Sequence, residues 1–210
     1  MMVEMLMRAA TRVLIRDGYE ALNTNRVAEE AGASVGSLYQ YFSSKQQLIA
    51  ALLTRHIDNT MHDVRQAIPE LSLLSVPEAV RRFIELMVAS HRVEPELHRV
   101  FVEQLPRIGG FEQVEASVSE GLVLTEAFLK AHAHEIVPQD HKLTAFILVQ
   151  TVEALTHSAV LMRPELLRTD AFVNELTALV VGYLQPGAQT QKNAAPARLK
   201  RAARRSVEAS

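Results

Sequence analysis

Apolar residues recur along this chain at spacings of three and four. Leu6, Ala10, Val13 and Leu14 form a stripe at i, i+4, i+7 and i+8, which predicts a first helix over about 3–17 with Gly18 as its stop. Tyr19 and Leu22 are expected to fill a small core beneath the next two elements. Those elements, within residues 22–45, read as two short helices. Thr24 is the expected N-cap of one, Val27, Ala28 and Ala31 its small apolar face, and Gly32 its stop. Ser34 caps the second, whose inward face is Leu38 and Phe42, with Phe42 as its end. Ser44 with Gln47 fits an S-x-x-Q capping box, opening a long helix over about 45–68. Its stripe is Ile49, Leu53, Ile57, Met61, Val64 and Ile68, and Pro69 is expected to end it.

Helical periodicity continues over about 78–92, 95–105, 112–134, 140–162 and 171–184. The punctuation is a loop at 71–77, then Pro95, then Pro106 with Gly109 and Gly110, then Pro138, then Pro164 with Thr169 and Asp170. No segment alternates with period two, and no repeat is present. The expected fold is all-α, with about nine helices: a three-helix helix-turn-helix unit over 1–46, a helical unit over 47–185, and a disordered basic tail over 186–210.

The second short helix offers Ser37, Tyr39, Gln40 and Tyr41 outward, after Gly36, which has no side chain to block an approach. Helix, glycine turn, helix is the arrangement whose second helix enters the DNA major groove. Two short helices packed at an angle also occur in many all-α proteins, and spacing alone leaves those readings level. The run TNRVAEEAGASVGSLYQYFSSKQQLIAAL, with its A-G-x-S-x-G-S-L-Y-x-Y-F-x-S-K string, resembles the DNA-binding domain of the TetR family of bacterial transcriptional regulators. The resemblance covers residues 6–53. It implies that Thr24, Asn25 and Lys45 hold phosphates, and that Tyr39 and Tyr41 do so through their hydroxyls. Val35, Gly36, Ser37 and Gln40 would face base edges, with Gln40 suited to a paired contact with adenine. Tyr41 also reads as a packing residue, and Arg26 as either a phosphate contact or a solvated charge.

The same resemblance implies a homodimer joined through the helices at about 140–162 and 171–184. It also implies a double-stranded, roughly palindromic operator with half-sites about 34–36 Å apart, and a small-molecule effector that releases the repressor. Relatives carry basic residues ahead of the first helix; only Met1 and Met2 stand there here, so either that arm is missing or the start is placed late.

Composition sharpens this only in part. The chain is 48% hydrophobic with no Cys, which excludes disulfide and thiol chemistry and fits a reducing cytoplasm. No signal-peptide pattern opens it. The most apolar helix, around Phe146, carries Gln150, Glu153 and His157, so no membrane span is expected. The formal charge is −2 overall, +1 over residues 1–56 and +5 over 186–210, so the DNA reading rests on the motif rather than on charge. Arg198, Lys200, Arg201, Arg204 and Arg205 read more readily as a solvated end than as a phosphate-attracting arm.

Catalytic chemistry finds little footing. His132 and His134 point to different sides of a helix, and His56 and His62, six apart, are poorly matched as metal ligands. There is no H-E-x-x-H, no Gly-rich phosphate loop and no G-x-S-x-G. No metal, cofactor or catalytic residue is expected. Glu153 and His157, at i and i+4, read as a polar pair in a core or interface, or more sharply as effector contacts. Met61, Phe83, Met87, Phe101, Phe128 and Gln150 are the other expected pocket residues, each also consistent with ordinary core. Two rival classes remain: a dimeric interaction protein that no longer reads DNA, and a small helical enzyme.

Overall fold

The computed structural model describes residues 1–93, 95–108 and 111–186. The predicted Gly109-Gly110 break and the basic tail beyond Pro186 lie outside them. Among the described residues there are nine α-helices, one 3₁₀ turn and no strand. They are α1 (Met2–Ala21), α2 (Thr24–Ala31), α3 (Val35–Tyr39), α4 (Lys45–Leu71), α5 (Val76–Val93), α6 (Pro95–Ile108), α7 (Phe111–Ala131), α8 (His141–Met162) and α9 (Asp170–Leu184), with the 3₁₀ turn at Pro164–Arg168.

The N-terminal stripe is buried as its spacing predicts: Leu6, Ala10 and Val13 are wholly inaccessible and Leu14 nearly so. Gly18 breaks the helix as the sequence predicts, at φ 80° and ψ 171°, and a short further helical stretch carries α1 on to Ala21. The cap of α2 is Asn23, not Thr24. Asn23 sits in the extended region, and its side-chain oxygen accepts the Arg26 N–H at 3.0 Å, so Thr24 is already helical. Gly32 ends α2 at φ 64°, a left-handed conformation that favours glycine. Ser34 Oγ accepts the Ser37 N–H at 3.0 Å. The helix it opens ends at Tyr39, short of Phe42, whose N–H still bonds the Leu38 carbonyl.

Ser44 Oγ caps α4 through the Gln47 N–H at 3.1 Å. The reciprocal half of the box is displaced by one residue, because Gln47 Oε1 accepts from the N–H and hydroxyl of Ser43. Pro69 lies inside α4 rather than after it. It sits in the last turn, where a proline removes a single bond, and the Ser72 N–H still reaches the Ile68 carbonyl. Pro106 likewise lies within α6. α7 ends at Ala131, earlier than its apolar pattern suggests, as the chain tightens through an Ala133 N–H to Lys130 carbonyl bond.

The helices build two cores. One gathers α1, α2, α3 and Leu48, Ile49, Leu52 and Leu53 of α4, closed by Leu97, Val100 and Phe101 of α6. The other holds Val64 of α4 with residues of α5, α7, α8 and α9. Two helices therefore enter the site region from the first core, α4 and α6. Arg65 of α4 and Glu120 of α7 form a bidentate pair at 2.6 and 2.7 Å.

The outer faces of α8 and α9 stay bare and apolar: Leu143, Phe146 and Leu179 are each more than half exposed, and Leu155 and Tyr183 about two-fifths. By length and composition alone α8 is apolar enough to cross a membrane. Its inner face, however, packs on α5, α6 and α7.

Candidate functional site

The reading face is built by three consecutive side-chain caps. Asn23, Ser34 and Ser44 each satisfy an otherwise orphaned N–H at a helix start, and the shared core beneath them sets how α2, α3 and α4 pack. Leu38 and Phe42 anchor the inner side of α3 at 0% and 5% exposure. That burial turns the other side outward. Val35, Gly36, Tyr39, Gln40 and Tyr41 are exposed together, and Ser37 is half-buried with its Oγ 2.8 Å from Ser34 Oγ. Tyr41, the residue with a packing alternative, stands 46% exposed. A Cβ added to Gly36 would meet only Ser34 Oγ at 3.9 Å, so the fold itself does not require glycine there.

Thr24 and Tyr39 are brought together, Thr24 Oγ1 lying 3.2 Å from the Tyr39 hydroxyl, while Asn25 is exposed beside them. Lys45 faces the other way. Its ammonium donates to the Tyr19 carbonyl and lies 3.8 Å above the centre of the Tyr19 ring. Partial burial holds its pKa below the usual lysine value. Arg26 is neither free nor merely solvated, since it pairs with Asp17 at 3.5 Å. Arg12 and Arg16 both bond Glu30, and Arg16 also bonds Asp17. The arginine hydrogen bonds keep both carboxyls below their ordinary pKa. These cations are therefore matched by acids on the same edge.

Between α4, α5, α6, α7 and α8 lies a cavity of about 180 Å³. Met61, Phe83, Met87, Phe101, Glu153 and His157 line it, as the sequence suggests. Phe128 lines instead a second cavity of about 250 Å³, and the two share Phe83, Leu124, Val149 and Val152 as a common wall. Gln150 lines neither and is exposed. One residue along a helix is a turn of about 100°, so with Val149 and Val152 facing inward Gln150 faces out.

The largest departure from sequence expectation is a histidine cluster. His56 of α4, His91 of α5, His98 of α6 and His157 of α8 all face the first cavity. Ring centroids are 4.1 Å apart for His91 and His98, 5.0 Å for His98 and His157, and 5.3 Å for His91 and His157. His98 Nδ1 lies 3.1 Å from His56 Nε2, and His91 Nδ1 donates to the Met87 carbonyl at 2.7 Å. The Nε2 atoms of His91 and His98 are buried with no partner among the described residues. Burial pushes all four pKa values down, that of His56 to about 4, and pushes that of Glu153 up. Sequence inspection misses the cluster because its members come from four helices at unrelated spacings. The only local cue is that His157 follows Glu153 by one turn.

The model described as bacterial regulatory proteins of the tetR family matches residues 6–52, and that of the tetracyclin repressor-like C-terminal domain matches 75–184, more than half of the chain. The chain is 46% identical over 63 residues to the HTH-type transcriptional activator FasR of Mycolicibacterium smegmatis, a match covering 30% of this chain and 29% of that protein. It is 24% identical over 185 residues to an HTH-type transcriptional regulator of Mycobacterium tuberculosis, covering 85% and 92%. Among solved structures, FadR of Bacillus subtilis in complex with stearoyl-CoA superposes with a TM-score of 0.68 at 18% identity, covering 87% of this chain and 99% of that one. The SmeT–triclosan complex gives 0.61 at 22%, covering 89% and 93%. These likenesses are of fold. On the two family matches, the chain belongs to the TetR family of bacterial transcriptional regulators.

Proposed function

We propose that this protein is a dimeric, effector-released transcriptional repressor that reads a roughly palindromic operator through α3. In this reading residues 1–46 are the reading head, 47–185 the effector-binding and dimerisation unit, and 186–210 an appended basic tail. The observation that carries it is the two-sided character of α3 and of residues 40–42 that follow it. Leu38 and Phe42 are spent on the core, while Val35, Gly36, Ser37, Tyr39, Gln40 and Tyr41 gather on the opposite side without an intramolecular task that needs most of them. Tyr39, Tyr41, Thr24 and Asn25 take phosphates, and Gln40, Ser37 and the backbone at Gly36 approach bases. Lys45 joins them only after leaving the Tyr19 carbonyl.

The bare apolar faces of α8 and α9 support dimerisation through those helices. The effector is an apolar small molecule held in the cavities beside Phe83. Their walls are mostly apolar, with Thr60, Ser72, Ser117 and Thr125 beside the histidines and Glu153 as the polar exceptions, and two regulators of similar fold hold stearoyl-CoA and triclosan. An effector that prefers dimers whose heads are set too far apart weakens operator binding by its preference between the two forms. α4 transmits that preference, since it sits in both cores.

Selection of bound sequences from random double-stranded DNA at a stated salt concentration tests the reading. Enrichment of a palindrome is expected; no enrichment above a scrambled-protein control would overturn the assignment of α3 as a reader.

A further inference from the structure

Three imidazoles on three different helices converge in the cavity, and two of them carry a buried nitrogen with no partner among the described residues. His91 lies in the last turn of α5, His98 in the first turns of α6, and His157 on the inner face of α8. One ring nitrogen from each lies within 4.8 Å of those of the other two. We propose that His91, His98 and His157 form a binding site for a divalent late transition-metal ion of the zinc class, with the fourth coordination position open to the cavity.

The hydrogen bonds behind the rings support this. A carbonyl only accepts, so the bond from His91 Nδ1 to the Met87 carbonyl places the proton on Nδ1 and the lone pair on Nε2. His98 makes the corresponding bond through Nδ1 to His56 Nε2; with Nδ1 donating, its Nε2 lone pair is free. Those two Nε2 atoms are the unpartnered ones. A far-side hydrogen bond that fixes tautomer and ring orientation is the usual support of a metal-bound histidine. His56 thus acts as a positioning residue for His98. The rings are held neutral by burial, so a metal ion meets lone pairs rather than protons.

Zinc–nitrogen bonds of about 2.0–2.1 Å place tetrahedral ligand nitrogens ~3.4 Å apart, so the cluster must close by about an ångström. His157 is half-buried on the cavity wall and can supply most of that movement. Glu153, one turn before His157, faces the same cavity and offers the bound ion a nearby acid. The set of ligands is purely imidazole, which favours zinc, copper, nickel or cobalt over magnesium or calcium. Binding would tie α5, α6 and α8 together, with α4 held through His56.

The test uses the untagged full chain, stripped with a chelator and desalted, then titrated with Zn²⁺ against a chromophoric competitor and separately with Co²⁺. The expected result is one ion per chain, a visible cobalt spectrum of tetrahedral type, and a raised thermal midpoint. His157→Ala should lower Zn²⁺ affinity by on the order of 100-fold with helicity unchanged, and His98→Ala by at least as much. His62→Ala and His134→Ala, both at exposed positions, should leave it unchanged. His56→Ala should weaken binding less than loss of a ligand. The variant that decides is His157→Ala, because its side chain is the least buried of the three. Binding weaker than about 100 µM, or affinity unaltered by His157→Ala and by the triple substitution, would overturn the site. The assay contains no DNA, so a failure of the regulator reading leaves its result standing.

Discussion

The reading head and the helical bundle behind it have opposite kinds of core. Beneath α1–α3, Leu6, Ala10, Val13, Val27 and Leu38 are wholly inaccessible, and the three helix starts after α1 are each closed by a local side-chain cap. The bundle instead carries two adjoining cavities that share Phe83, Leu124, Val149 and Val152, and four histidines with Glu153 line the first. A packed core holds one geometry; a core with voids and unsatisfied polar atoms has room to exchange them for a ligand's atoms. The head is thus built to keep the angle of α3, and the bundle to yield.

That contrast is most sharply broken by truncating one side chain on each side. Leu38→Ala removes the single buried residue of the five-residue α3 and is expected to cost about 3 kcal/mol and to abolish DNA binding. Phe83→Ala, half-buried between the two voids, should cost clearly less, because the side chain already lacks packing partners on its open sides. Urea denaturation of both variants checks this. Equal costs would mean that the bundle is as tightly packed as the head.

Acid should find the bundle before the head. The groups facing the first void are His56 from α4, His91 from α5, His98 from α6, and Glu153 with His157 from α8. Each histidine has a folded pKa below the ordinary value of 6.5, so the unfolded chain binds more protons than the folded one once pH drops beneath 6.5. Stability is therefore complete above that value and is lost as pH falls toward about 4, where His56 titrates in the folded protein. Glu153, its pKa raised by burial, is favoured by acid and offsets part of the loss. For metal-free protein a net fall of roughly 2 kcal/mol is expected across that window. A flat stability profile between pH 6.5 and 4.5 would show that the histidines are not buried in solution.

The same contrast explains how much was legible in the sequence. The head was readable almost residue by residue, because its order is local. Caps lie three residues from the N–H they satisfy, Gly32 sits where a left-handed turn is needed, and the stripe of α1 repeats at helical spacing. The cap and proline departures there are local, whereas Lys45 turns to the Tyr19 carbonyl across a separation of 26 residues. Asn23 outcompetes Thr24 because an amide at that position reaches the N–H three residues on, and Pro69 is tolerated because it falls in a last turn. In the bundle the helices were legible, but their rotation was not. Its helix alone does not tell which way Gln150 faces; Val149 and Val152 take the inward face and Gln150 is exposed. His91 and His98, which no periodic argument singles out, line the first cavity from the end of α5 and the start of α6. The contact of α6 with the head core, through Leu97, Val100 and Phe101, is equally invisible in sequence, since it joins residues far apart along the chain.

Within the head, separating fold from reading sharpens the comparison further. Tyr39 is half exposed, and its hydroxyl lies 3.2 Å from Thr24 Oγ1. Tyr39→Ala is expected to leave the dimer and its thermal midpoint intact and to weaken operator binding by roughly tenfold, about 1–2 kcal/mol. Tyr39→Phe should reproduce most of that loss if the hydroxyl holds a phosphate. Gel-shift titrations at two salt concentrations check both, and retained affinity in Tyr39→Ala would remove this residue from the interface.

Gly36 gives the smallest effect on stability and the cleanest separation. Its backbone is helical, no positive φ demands glycine, and an added Cβ would meet only Ser34 Oγ at 3.9 Å. Alanine is the better helix former, so Gly36→Ala should stabilise the head by up to about 1 kcal/mol. If glycine stands there so that the backbone can approach a base, the same methyl group lies between α3 and the groove. Operator affinity should then fall while the unfolding midpoint holds or rises. Opposite signs in the two measurements would assign Gly36 to the DNA surface rather than to the fold. A parallel fall in both would mean that the head needs the glycine structurally, and that even its exposed side belongs to the rigid half of the molecule.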